Sequence, residues 1–321
     1  MIKIVRLENG SEIEAGLVGD PQGKTIMLPV AKKTVTGEEA ENLKLWGVDP
    51  ELGQRLVHGL ADRFQVLYFD YEGHLFSNPN AEGLTAEQVV KDLLHIADEM
   101  KVQRFSYYGY SWLALAGLQL ALHTDRLDSL VMGGFPPYEG PYKEMRIVTQ
   151  KTYELALPNQ QESMYPSSES WNPEEVDWDN VPVTIDPLVT KQFVILYQSL
   201  IGFDDRSIHD WLPIPKLVFA GEQDTIVYSE KFGSVKVDII GLPEKNKQQL
   251  INMGWDVEIL KGRDMDHTKA MQPAAVLPLI KPWFIAKLLG ENRKEESNKH
   301  KRYNDKMIIN TDGKKKGVEQ G

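Results

Sequence analysis

The sequence predicts a three-layer α/β fold, a mainly parallel sheet covered by helices, with an antiparallel hairpin leading in at one edge. Three observations predict it. From residue 66 to residue 289, short apolar runs of strand length alternate with helical stretches. The first 30 residues are strand-like and are punctuated by Asn9-Gly10, a strong hairpin signal. Helix starts are marked by capping residues, including the box Thr85-Ala86-Glu87-Gln88.

Taken in order, Ile2–Leu7 and Glu12–Val18 flank the Asn9-Gly10 turn, and Thr25–Val30 reads as a third strand. After a polar loop, Asp49 as N-cap and Pro50 at the first helical position open a helix to about Arg63. Val66-Leu67-Tyr68-Phe69 suits a buried parallel strand. The box at Thr85 opens a helix to about Met100, followed by a strand at Arg104–Tyr110, a helix at Trp112–His123 and a strand at Leu127–Phe135. Further on, Pro215–Ala220 and Asp256–Lys261 read as strands and Gln272–Leu289 as a closing helix. Residues 136–212 interrupt the alternation with helical stretches at Tyr142–Leu157 and Pro187–Gly202, an insertion of the size that forms a lid or cap. Residues 291–321 are charged and nearly free of apolar side chains, so a flexible tail is expected there.

Composition narrows the function. The chain of 321 residues has no cysteine, which removes disulfides, thiolate metal sites and a cysteine nucleophile. Its net charge of −11 argues against nucleic-acid binding, which needs a basic face. The charge is uneven. The tail carries nine Lys/Arg against six Asp/Glu, whereas the 136–212 insertion carries thirteen Asp/Glu against five Lys/Arg. The longest apolar stretch, 274–289, is broken by Pro278, Lys281, Pro282 and Lys287, so no membrane partner is expected. The N-terminus lacks the apolar core of a secretory signal, and cytoplasm is the expected compartment.

The chemistry-bearing segment is Gly109-Tyr110-Ser111-Trp112-Leu113-Ala114. A strand ends there, Gly-x-Ser occupies the turn and a helix follows at once, the context of a nucleophile elbow. The turn is tight, so the residue two before the serine must be small, and the N–H of Trp112 becomes an oxyanion donor. The second small position of that pattern holds Leu113 instead. An elbow hydrolase then needs an acid and a base in that chain order. Gly221-Glu222-Gln223-Asp224 follows a strand and places Asp224 113 positions after Ser111, and Asp264-Met265-Asp266-His267 follows the next strand and places His267 43 positions after Asp224. Asp264 and Asp266 are alternative acids; the same cluster comes nearest to a metal site, but no further ligand set is visible, so no metal is expected.

With these residues in place, the chain resembles the α/β-hydrolase superfamily over about residues 1–290. The resemblance implies an α/β-hydrolase sheet with an N-terminal hairpin and a helical cap. The core would comprise residues 1–135 and 213–290, the cap 136–212 and the tail 291–321. It also implies Ser111 as nucleophile, His267 as general base and then acid, and Asp224 as the carboxylate orienting the imidazole. Asp70-Tyr71-Glu72-Gly73-His74 looks like the family's loop after the fourth strand, with Glu72 where arginine is usual. The usual His-Gly of the oxyanion loop is replaced by Pro29-Val30, so alignment gives the second donor to Ala31, or to Val30.

The pocket candidates are Val30, His74, Tyr110, and Trp171 and Trp178 of the aromatic-rich cap. His58, His95 and His123 fall inside expected helices and read as packing residues. Neither a glycine-rich dinucleotide motif nor a P-loop is present, so no cofactor is expected. The stretches Trp46–Pro50 and Gly133–Pro137 are similar to bacterial capped hydrolases that include macrolide esterases. The expectation is a serine hydrolase of a small-molecule ester or lactone, bulky and apolar, with a cationic group suited to the acidic cap. Thioesterase, proline-type peptidase and carbon–carbon bond hydrolase chemistry use the same triad, and a non-catalytic binding protein is the reading from a different class.

Overall fold

The computed structural model describes residues 1–157, 185–209 and 212–290. The chain opens with β1 (Ile2–Arg6), β2 (Glu12–Val18) and β3 (Thr25–Leu28), followed by helices α1 (Glu38–Leu45) and α2 (Leu52–Ala61). Next come β4 (Gln65–Tyr68), α3 (Tyr71–Ser77), α4 (Ala86–Glu99), β5 (Phe105–Tyr110), α5 (Trp112–His123) and β6 (Leu127–Gly133). Helices α6 (Tyr142–Ala156) and α7 (Pro187–Ser199) belong to the insertion. The core resumes with β7 (Lys216–Gly221), β8 (Thr225–Val227), β9 (Lys236–Asp238), α8 (Gly241–Lys245) and α9 (Lys247–Asn252). It continues through β10 (Trp255–Leu260), α10 (His267–Ala270) and α11 (Pro273–Leu288).

Eight strands form one sheet in the order β1-β2-β4-β3-β5-β6-β7-β10. From β4 to β10 every neighbouring pair is parallel, whereas β1–β2 and β2–β4 are antiparallel. The expected mainly parallel sheet with a hairpin at one edge is therefore present. Its central strands β3, β5 and β7 are buried along their whole length, as a sheet covered on both faces requires. The parallel arrangement brings the carboxyl ends of β3 to β7 and β10 to one edge, where ligands of open α/β sheets bind.

Several local expectations need correction. The strand pairing ends at Arg6↔Glu12, so the first hairpin has a five-residue loop and not a two-residue turn. Within it, the Asn9 carboxamide accepts from the Ser11 N–H at 3.0 Å. Asp49 and Pro50 precede α2 by a turn: the Asp49 carboxylate accepts from Glu51 N–H at 2.9 Å and the helix begins at Leu52. The segment after β4 is the short helix α3, capped by Asp70, which accepts from Gly73 N–H at 2.8 Å. The Thr85 cap is as expected, its hydroxyl accepting from Gln88 N–H. Helix α1 lacks an apolar stripe and buries only Ala40, so periodicity gave no signal for it.

By compactness the chain divides into residues 1–277 and 278–321. The first unit contains the sheet and both described helices of the insertion. Helices α6 and α7 pack against each other, and α7 is fastened to the core by side chains. Gln192, fully buried, donates to the Leu75 carbonyl at 3.1 Å and accepts from Asn80 N–H at 3.1 Å. The Ser199 hydroxyl accepts from Ala86 N–H at 3.0 Å. Each of these three hydrogen bonds contributes about 1 kcal/mol. The described part of the second unit, 278–290, is the end of α11, where the Trp283 and Phe284 rings meet edge to face at 5.4 Å.

Candidate active site

Ser111 stands between β5 and α5 at φ 56° and ψ −131°, a conformation that costs a non-glycine residue roughly 1–3 kcal/mol. Its N–H is tied to the Gly133 carbonyl at 2.8 Å, which fixes the turn to the end of β6. A Cβ on Gly109 would lie 2.2 Å from the Leu113 carbonyl oxygen, so no larger residue fits two positions before the serine. Leu113 itself is accommodated: its side chain is buried and its carbonyl accepts from the Tyr107 hydroxyl at 2.7 Å. The departure from a small residue there does not disturb the turn.

Asp224 and His267 come together across two loops. The loop after β7 is stitched to the loop after β10 by Gln223 N–H to the Met265 carbonyl at 3.0 Å and by Gly262 N–H to the Glu222 carboxylate at 2.8 Å. His267 Nδ1 then faces both Asp224 oxygens, at 2.9 and 3.0 Å, and Asp224 is wholly buried. Of the alternative acids, Asp266 caps α10 by accepting from Lys269 N–H, and Asp264 pairs with Arg263 and Lys269. Among the described residues no group of His, Cys, Asp and Glu is arranged to hold a metal ion.

Tyr110, the neighbour of Ser111, links the histidine to the serine turn. Its hydroxyl donates to the His267 carbonyl at 2.8 Å and its ring centroid lies 5.0 Å from the imidazole. Burial, and after it the Asp224 carboxylate, push the Tyr110 phenol well above its ordinary range, so it stays a neutral donor. A Cβ on Gly134, which has φ 63°, would lie 2.9 Å from His267 Cε1, so glycine there makes room for the ring.

Trp112 begins α5. Its ring packs edge to face on Phe193 of α7 at 5.4 Å and lies 6.1 Å from Tyr71. Phe193 in turn meets Phe76, which makes an aromatic wall beside the serine turn. The indole Nε1–H donates to the Glu72 carboxylate at 2.8 Å. On the other side, Ala31 and Val30 lie in the loop after β3, both buried. The Ala31 N–H is directed at the Leu28 carbonyl at a long 3.4 Å, and Val30 bridges to Asp70.

His74 does not join this group. Its Nε2 lies 3.0 Å from the Ser11 hydroxyl, so the imidazole serves the first hairpin and not the serine turn. The sequence offers no means of foreseeing this, because the partner lies 63 residues away. Trp171 and Trp178 lie outside the described residues. Sequence reasoning noted Glu72 only as a departure from the arginine usual in its loop, and it missed Phe193, whose signal was only its place in an aromatic-rich insertion.

No protein-family model matches the sequence, and no curated protein matches it either. Solved structures do. A probable hydrolytic enzyme from Pseudomonas aeruginosa superposes with a TM-score of 0.54 at 14% identity, covering 90% of this chain and 93% of that one. A thermophilic esterase from Thermogutta terrifontis gives 0.52 at 18% identity, covering 89% and 99%. An esterase from Exiguobacterium antarcticum gives 0.51 at 16% identity, covering 84% and 94%. The chain has the α/β-hydrolase fold. At such identities these likenesses speak to the fold, and function must be argued from the site.

Proposed function

We propose that this protein is a serine hydrolase that cleaves a carboxylic ester or lactone through an acyl-enzyme. The observation that carries the reading is the pairing of a strained serine turn at the end of β5 with the hydrogen bond from His267 to the wholly buried Asp224 at the same sheet edge. Ser111 Oγ attacks the substrate carbonyl carbon while His267 Nε2 takes its proton, leaving a tetrahedral oxyanion. Asp224 holds Nδ1 protonated and stabilises the imidazolium. The Trp112 N–H and a donor from the Val30–Ala31 loop bind the oxyanion, each worth roughly 3–4 kcal/mol in the transition state. The carbonyl re-forms, the alcohol leaves with the proton from His267, and water repeats the sequence to release the acid.

The aromatic wall of Trp112, Phe193 and Phe76 supports an apolar acyl or alcohol group. A bulky lactone, of which a macrolide is one type, suits that wall. The acidic insertion further favours a cationic group on it.

A fluorescent organophosphonate tests the reading. Wild-type protein is expected to label stoichiometrically and Ser111→Ala not at all, with the adduct mapped to Ser111 by mass spectrometry. Failure of the wild type to label with any of a panel of phosphonates of different size would overturn it and favour a binding role.

A further inference from the structure

Glu72 has no part in the reaction as written, yet its carboxylate joins two segments on either side of the serine turn. Oε1 accepts from Trp112 Nε1 at 2.8 Å, and Oε2 pairs with Lys32 Nζ at 2.5 Å. Trp112 supplies the backbone N–H next to Ser111, and Lys32 directly follows Ala31. One carboxylate therefore spans the two elements that hold the proposed oxyanion donors, the start of α5 and the loop after β3.

The chemistry of both contacts is specific. An indole N–H only donates, so it needs an acceptor. An arginine at position 72 presents donors alone and could not hold Trp112 in this way. The ring contacts of the indole with Tyr71 and Phe193 place no acceptor on its Nε1–H. A hydrogen bond to an ionised acceptor is shorter and stronger than a neutral one and fixes the ring's rotation. Charge is the second consideration. A bare carboxylate beside a developing oxyanion opposes it, and the Glu72 side chain is only 21% exposed, which limits screening by water. The Lys32 ammonium, 44% exposed, cancels that charge.

We propose that Glu72 is a positioning residue for the oxyanion hole and that Lys32 is its neutralising partner, so that the pair orders both donor segments without placing net negative charge beside them. The proposal rests on the serine-hydrolase reading. It also explains why this chain carries glutamate in a segment whose family pattern has arginine: the residue is matched to a tryptophan at position 112.

The test is a double-mutant cycle on the full chain with Lys32→Met, Glu72→Gln and the double variant. Phosphonate inactivation rates are read alongside kcat and KM for a p-nitrophenyl ester. Lys32→Met strands the carboxylate and is expected to lower kcat and the inactivation rate about tenfold to a hundredfold, as misplacement of reacting groups does, with KM within about twofold. Adding Glu72→Gln removes the stranded charge and is expected to recover part of that loss, a rescue that a merely structural contact would not give. Should Glu72→Gln fail to fold, Lys32→Met combined with Trp112→Phe supplies the second arm, since removing the indole makes the loss from Lys32→Met smaller. A Lys32→Met enzyme within twofold of wild type, or losses that simply multiply, would overturn the proposal while leaving a labelled Ser111 and the hydrolase reading intact. A wild type that takes no phosphonate overturns both.

Discussion

Ser111 is held in its unfavourable conformation by its N–H bond to the Gly133 carbonyl of β6 and by its own carbonyl, which accepts from Ala114 N–H of α5. Tyr110 is the residue that couples this turn to the histidine loop. Tyr110→Phe removes one hydroxyl and leaves the His267 carbonyl without its donor at 2.8 Å. The expected result is a loss of about 1 kcal/mol in urea unfolding and a slower phosphonate inactivation, since the imidazole is free to tilt. Ser111, Asp224 and His267 were legible as candidates because each follows a strand and each is a residue type that the chemistry needs. Glu72 was not, because a hydrogen bond between residues 40 apart in sequence leaves no local pattern.

At the scale of elements, the first hairpin is fastened to α3 by the His74–Ser11 contact. Burial holds the His74 imidazole below the ordinary histidine range, with Asp70 opposing and Lys33 reinforcing that shift. A group whose folded pKa is depressed binds its proton more readily when unfolded, so stability is greatest above the ordinary value of about 6.5 and declines as pH falls towards the folded value. Thermal unfolding scanned from pH 8 to pH 5 is expected to show that decline, and His74→Gln to flatten it. An equal decline in both proteins refutes the assignment. The elements themselves were largely readable: α5 matches its expected bounds, and β2 does as well. Helix α3 and the β8–β9 hairpin escaped, being too short to show a period of their own. The hairpin exists because Ile226 and Tyr228 pack on a small cluster of Ala220, Val237, Ile239 and Ile240, joined by Met145 of α6. That cluster is assembled across more than ninety residues of chain, and no window of sequence displays it.

Over the whole molecule, the charge distribution bears on the substrate. The chain carries a net charge of −11 with the excess concentrated in the insertion, and such a field raises the local concentration of cations around a site. Ester pairs of equal size, one cationic and one neutral, should therefore differ in kcat/KM at about 10 mM salt. The advantage of the cationic ester should shrink at about 500 mM salt, where the Debye length falls below about 5 Å. Equal rates at both salt concentrations dispose of the charge preference and leave the hydrolase reading untouched. Among the described residues no helix is long and apolar enough to cross a membrane.

By itself the sequence determined the layered parallel sheet, its antiparallel edge and the order serine, aspartate, histidine, because hydrophobic period, strand length and turn chemistry are local properties. Only the tertiary structure decided that His267 takes Asp224 and not Asp264 or Asp266 as its partner, that His74 faces the hairpin, and that Glu72 links Trp112 to Lys32. Those choices depend on which loops the parallel sheet gathers at one edge and on which side chains are desolvated there, and neither is encoded in neighbouring residues.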